Sequence, residues 1–193
     1  VTKNDLANPL HQILSTSLKS FDSAILLSLQ FSNFYAYDAH AEFKDQYDLL
    51  IHTLSETPKN IAVIVSEHPD HQVLNDSTIK FLRLKYPNFI WHPLFRNVYG
   101  ASNFIMPFVK GVVTVSSSVG LQTLFWKRKL AVLGHSHLDL ISDSHTVSGL
   151  CDQLQDESWD DYKESVLTWL ITKFHLPLDL ICSKNIFLNF LNN

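Results

Sequence analysis

Ser116-Ser117-Ser118 stands between a β-branched run, Val112–Val115, and a helical pattern, Val119–Trp126. A buried strand that ends in hydroxyls and turns into a helix offers donors and unpaired backbone N–H groups to an anion, and the helix dipole favours negative charge there. The pattern predicts a phosphate or diphosphate cradle over Ser116, Ser117, Ser118, Val119 and Gly120, with Gly120 letting the ligand approach the backbone closely. An ordinary serine N-cap accounts for one of these serines but not for three. A second group, Glu67-His68-Pro69, follows the apolar run Ile61–Val65. Pro69 disfavours helical backbone at His68 and so holds the imidazole in an extended turn. From there His68 can donate to a phosphate oxygen or assist a leaving group, because histidine titrates near neutrality. His92-Pro93 repeats the dipeptide, but His68 is preferred as the catalytic residue because its strand lies nearer the switch in strand order. In Gly134-His135-Ser136-His137 two alternating histidines fall short of a metal site. His135 is expected in the nucleotide pocket, and neither a metal nor another cofactor is expected.

These groups need a frame that brings strand ends together. An almost continuous apolar run predicts a first strand over 24–31, and a 3.6-residue period predicts a helix over 41–54. Strands follow at 61–65, 89–91, 112–115 and 130–133. The segments between them read as helices at about 76–86, at 98–109 with a break near Pro107, and at 119–126. From Ser144 onward the pattern is helical, over 146–155 and 159–174, followed by a tail rich in Leu, Ile and Phe. Short buried strands alternating with helices predict an α/β fold: a Rossmann-like, doubly wound parallel sheet of five or six strands with C-terminal helices. One such domain is expected across residues 1–193, with a core at about 21–156 and a helical extension at about 157–193. Ligands of such sheets bind beyond the carboxyl ends of the strands at the switch point. That edge gathers Gln30, Glu67-His68-Pro69, the three serines and His135.

Composition narrows the class. The chain has 193 residues, 46% of them hydrophobic, and a formal charge of −4. It therefore has the material for a core and no basic footprint for nucleic acid. No apolar run reaches the roughly 20 residues of a membrane-spanning helix. Cys151 and Cys182 lack ligand-like spacing and read as free thiols of a reducing compartment. Gly-x-Ser-x-Gly, the P-loop pattern and Gly-x-Gly-x-x-Gly are all missing, which disfavours serine-hydrolase chemistry and the usual ATP or NAD folds.

The Glu-His-Pro after one strand and the Ser-Ser-x-Val-Gly-Leu turn after a later one resemble the C-terminal half of bacterial capsule polysaccharide biosynthesis proteins. These are GT-B-type glycosyltransferases that include β-Kdo transferases, and bacterial sialyltransferases carry a similar His-Pro and Ser-Ser pair. The likeness extends through Leu-Ser-Leu-Gln at 27–30, Val-Val-Thr-Val-Ser-Ser-Ser-Val-Gly-Leu at 112–121 and Lys-Leu-Ala-Val-Leu-Gly at 129–134. The segment Trp-Leu-Ile-Thr-Lys-Phe-His-Leu-Pro at 169–177 resembles the closing helix and its exit. The resemblance implies a nucleotide-sugar donor, foremost a CMP-activated acid such as Kdo or sialic acid, and a polysaccharide or glycolipid acceptor. It makes His68 the residue at the donor phosphate and the three serines its cradle. Members often carry a lysine two residues before the histidine; this chain has Ser66. Residues 1–23 are too few for a second Rossmann-like half, so the acceptor half is expected outside these residues. A cytoplasmic setting is implied, with peripheral attachment at the inner face of the bacterial inner membrane left open. A UDP-sugar site and a non-catalytic interaction module are the alternatives.

Overall fold

The computed structural model describes residues 3–30, 41–68 and 70–174. Contacts divide the chain into two compact units, Val1–Glu157 and Ser158–Asn193. In the first unit, helix α1 (Lys3–Ser17) leads into strand β1 (Ser23–Ser28). Helix α2 (Gln46–Glu56), strand β2 (Ile61–Ser66), helix α3 (Asp76–Lys85) and strand β3 (Phe89–Ile90) follow. Two short helices, α4 (Leu94–Asn97) and α5 (Ala101–Ile105), and a 3-10 turn (Met106–Phe108) lead to β4 (Gly111–Thr114). Helix α6 (Val119–Trp126), strand β5 (Lys129–Val132), a second 3-10 turn (His137–Ile141) and α7 (Val147–Gln153) complete the unit.

All strand pairs are parallel, in the order β3-β2-β1-β4-β5. Alternate residues of a strand point to opposite faces. Ile25, Leu27, Val63, Val65 and Val113 pack in one core with Leu49 and Leu50 of α2, Leu82 of α3 and Leu150 of α7. Leu26, Ala62, Ile64 and Val112 are equally buried and face the other way, where α4 meets β2, α5 meets β1 and α6 meets β4. Helices thus cover both faces, and the sheet is doubly wound as its apolar strands require. Caps fix the helix starts: Asp45 accepts from the Asp48 N–H, Asn75 from the Thr78 N–H and Thr146 from the Gly149 N–H.

Two expectations change. The helix foreseen over 98–109 is instead α4, α5 and a 3-10 turn. Gly100 takes a left-handed backbone (φ 70°), which ends any helix arriving from its N-terminal side. Pro107 lacks the N–H that a longer helix would use. The second change is α1, a helix across Lys3–Ser17 where none was foreseen. It contacts α5 and buries Leu10 and Leu14 completely. In the second unit, α8 (Asp161–Trp169) starts at an Asp160 cap and continues as a π-helical turn, Leu170–Phe174. The apolar tail and Cys182 lie outside the described residues. No described helix is long and apolar enough to cross a membrane.

Candidate functional site

The strand order reverses between β1 and β4, so their carboxyl ends diverge there and leave a crevice. Gln30 bridges it. Its Nε2 donates to Ser116 Oγ at 3.3 Å, and its Oε1 accepts from the Ser116 N–H at 3.3 Å. The Gln30 N–H donates to Gln46 Oε1 at 2.8 Å, which anchors the bridge to α2. On the other side of β1, Ser28 and Ser66 are register partners with hydroxyls 3.3 Å apart. A cleft of about 680 Å³ opens over these strand ends. Its walls hold Gln30, Glu67, His68, Val119 and all three serines of the β4–α6 turn, together with Tyr99, Gly100 and Ser102 from the α4–α5 segment.

The serine turn is partly self-satisfied. The Ser117 N–H donates to Thr114 Oγ1 at 3.1 Å, and the Val119 N–H donates to Ser117 Oγ at 3.3 Å. The Gly120 and Leu121 N–H groups donate to the Ser117 and Ser118 carbonyls. Ser118 makes no side-chain cap bond, and no described residue accepts its N–H. The row of open backbone donors expected at the helix start is thus reduced. What the turn presents is hydroxyls, the Ser117 O–H among them, because its oxygen serves as an acceptor inward. Gly120 also departs from its expected role. It is buried and outside the cleft wall, and a Cβ there would lie 2.6 Å from Leu138 Cδ1. Its smallness serves the packing of α6 against the 137–141 turn and not the approach of a ligand.

Glu67 lines the cleft, yet its carboxylate is committed to the protein. Oε1 accepts from the Val73 and Leu74 N–H groups at 2.8 and 2.9 Å, and Oε2 from Trp91 Nε1 at 2.9 Å, with Arg96 Nη1 at 3.7 Å. These bonds tie Glu67 to the 73–74 backbone and to Trp91, just past β3, beside His68 on the cleft wall. His68 Nδ1 accepts the Asp70 N–H at 3.2 Å, so the neutral imidazole carries its proton on Nε2. Pro69 lies outside the described residues. His135 does not join the cleft wall; its side chain is 86% exposed and faces Asp139 at 3.7 Å. His92 is also elsewhere, accepting from the Leu94 N–H through Nδ1. Among the described residues no group of three His, Cys, Asp or Glu side chains is placed to hold a metal.

Ser28, Ser66, Tyr99, Ser102 and Gln122 also line the cleft and are not among the residues expected there. Gln122 lies one helical turn beyond Ser118, which was a readable signal; its Oε1 is buried at the cleft with no hydrogen-bond donor among the described residues. Tyr99 follows from no periodicity, since its place depends on the break at Gly100. Among the described residues no Lys or Arg lines the cleft.

The capsule polysaccharide biosynthesis protein family matches residues 5–166. The chain belongs to this family. Among curated proteins none matches. A solved structure of Thermosulfurimonas dismutans KpsC, a beta Kdo 2,7 transferase, is similar at 14% identity and a TM-score of 0.50, over 89% of this chain and 64% of that one. The wall teichoic acid polymerase TagF is similar at 13% identity and a TM-score of 0.49, over 85% of this chain and 42% of that one. The KpsC likeness concerns the fold, a five-stranded parallel α/β sheet as in one half of a GT-B glycosyltransferase. This family member spans less than two thirds of the length of either structure.

Proposed function

We propose that the chain is the donor-binding half of a glycosyltransferase of surface polysaccharide synthesis, and that its donor is a CMP-linked sugar acid such as Kdo or sialic acid. One observation carries the donor class: among the described residues, the cleft at the switch point offers hydroxyls, amides and the His68 imidazole, with the Glu67 carboxylate engaged by the protein and no Lys or Arg on the wall. A nucleoside monophosphate ester carries a single charge, which such donors can hold through a few hydrogen bonds. A nucleoside diphosphate carries a second charge, which ordinarily calls for Arg, Lys or a metal ion. The transferase named in the KpsC structure supports the same sugar class.

In this reading the sugar phosphate sits between His68 and the Ser116–Ser118 turn. As the glycosidic bond to phosphate breaks, charge grows on the departing phosphate. Donors on the cleft wall, the Ser117 O–H and the His68 Nε2–H, stabilise that charge more than the ground state. The acceptor, a polysaccharide or glycolipid, and the base that activates it belong to a second half, with the reaction set at the cytoplasmic face of the membrane.

Calorimetry with CMP, CMP-sugar and UDP tests the reading. CMP should bind, and His68→Ala or Ser117→Ala should each weaken it about tenfold, the loss of one charge-assisted hydrogen bond. No heat with CMP or CMP-sugar at millimolar ligand rules the donor assignment out. Stronger thermal stabilisation by UDP than by CMP transfers the site to a diphosphate donor.

A further inference from the structure

Tyr99 lines the cleft and is 71% exposed. It sits one residue before Gly100, whose left-handed backbone turns the chain into α5. Its hydroxyl donates to Asp70 Oδ2 at 2.9 Å, and its ring meets His68 edge-on with centroids 6.1 Å apart. Asp70 thus faces two partners. Its backbone N–H donates to His68 Nδ1 at 3.2 Å, while its carboxylate Oδ2, held by Tyr99, stands 3.8 Å from the same Nδ1. That separation is too long for a hydrogen bond. The two groups of Asp70 have opposite effects on the ring. The N–H requires a bare Nδ1 and therefore the Nε2–H tautomer, whereas a carboxylate in contact would draw a proton onto Nδ1. The Asp70 hydrogen bond also holds the Tyr99 phenol above its ordinary titration range, so it is a protonated donor across the physiological range.

We infer that Tyr99 is a positioning residue: by engaging the Asp70 carboxylate it keeps that group off Nδ1 and fixes His68 as an Nε2–H donor towards the cleft. Its use in turnover rests on the reading of the cleft as a donor-phosphate site, but the tautomer itself does not. With the Tyr99 hydroxyl gone, the carboxylate swings to Nδ1, the proton follows, and Nε2 becomes an acceptor that repels a phosphate oxygen.

The test is the 15N spectrum of the His68 ring in the whole chain at about pH 8.5, well above the ordinary histidine range. Wild type should show a protonated Nε2 and a bare Nδ1. Tyr99→Phe should move the population towards Nδ1–H. Adding Asp70→Ala to Tyr99→Phe should return it to Nε2–H, because the backbone N–H remains while the competing carboxylate is gone. Both side chains are exposed, so neither change threatens folding. An unchanged tautomer in Tyr99→Phe, or no return in the double variant, overturns the inference. CMP calorimetry on the same samples separates the two claims. Tautomer control with no CMP binding in wild type leaves Tyr99's role standing and removes the donor-site reading. If CMP binds, Tyr99→Phe should weaken it about threefold to tenfold, with recovery in the double variant; CMP binding that ignores the tautomer defeats the positioning role.

Discussion

Glu67 is the buried acid on which the candidate site rests. Its two oxygens gather the Val73, Leu74 and Trp91 N–H groups, and burying a carboxylate is tolerable because those donors replace water. Glu67→Ala should cost about 3 kcal/mol in urea unfolding, since it leaves several buried donors unpaired. Glu67→Gln should also destabilise, because its amide turns N–H groups towards N–H groups. If Glu67→Gln were as stable as wild type, the carboxylate would not be what organises the loop. At this scale the sequence was legible by type and less so by role. His68 and the serines sit on the cleft as their positions after strands implied. Glu67 adjoins them, but its hydrogen bonds reach Val73, Leu74 and Trp91, partners no local pattern reveals. His135 follows a strand as the others do, yet its strand is the sheet edge, farthest from the switch on that side.

The elements show which signals travel through sequence and which do not. Strands β2 and β4 and helix α6 lie within a residue of their expected spans because runs rich in β-branched residues and a clean helical period are local properties. Helix α1 went unread because Pro9 lies inside it, and a proline in a helix interior removes one hydrogen bond and crowds the preceding turn. Burial of Leu10 and Leu14 in a helix that packs on α5 offsets that cost, a tertiary effect absent from any local window. The α6 packing supplies a prediction of its own. Gly120→Ala should destabilise by about 1–3 kcal/mol, because the added methyl meets Leu138 in a filled core. Leu138→Val in the same chain should return part of the loss, so that the pair is non-additive. Strict additivity in thermal melts would show that α6 shifts away freely and that the glycine is not required by packing.

The molecule as a whole should weaken in mild acid. Burial, together with the neighbouring Arg83 guanidinium, holds the His92 imidazole below its ordinary value of 6.5. The unfolded chain therefore takes up this proton at a higher pH than the folded chain does. Stability on this account is full above about pH 6.5 and falls as pH drops towards the folded value, where the unfolded state binds more protons. His92→Gln should flatten that part of the profile in urea melts recorded between about pH 7.5 and 5; an unaltered slope would assign the acid sensitivity to other groups. The sheet order was legible only as a class, since alternation of strands and helices does not say which strand lies in the middle.

The Gln30–Ser116 bridge joins residues 86 positions apart, across the seam of the sheet whose two strands lie farthest apart in sequence. Pairing of β1 with β2 spans a much shorter loop, and closure of the longer one is both entropically costlier and slower. A nascent chain released up to Lys110 would already own His68 and Glu67, yet lack the turn that faces them. Competence to bind therefore arrives abruptly, with β4 in place, and not by degrees. Any ligand that spans the seam recognises only finished molecules, and its occupancy counts them.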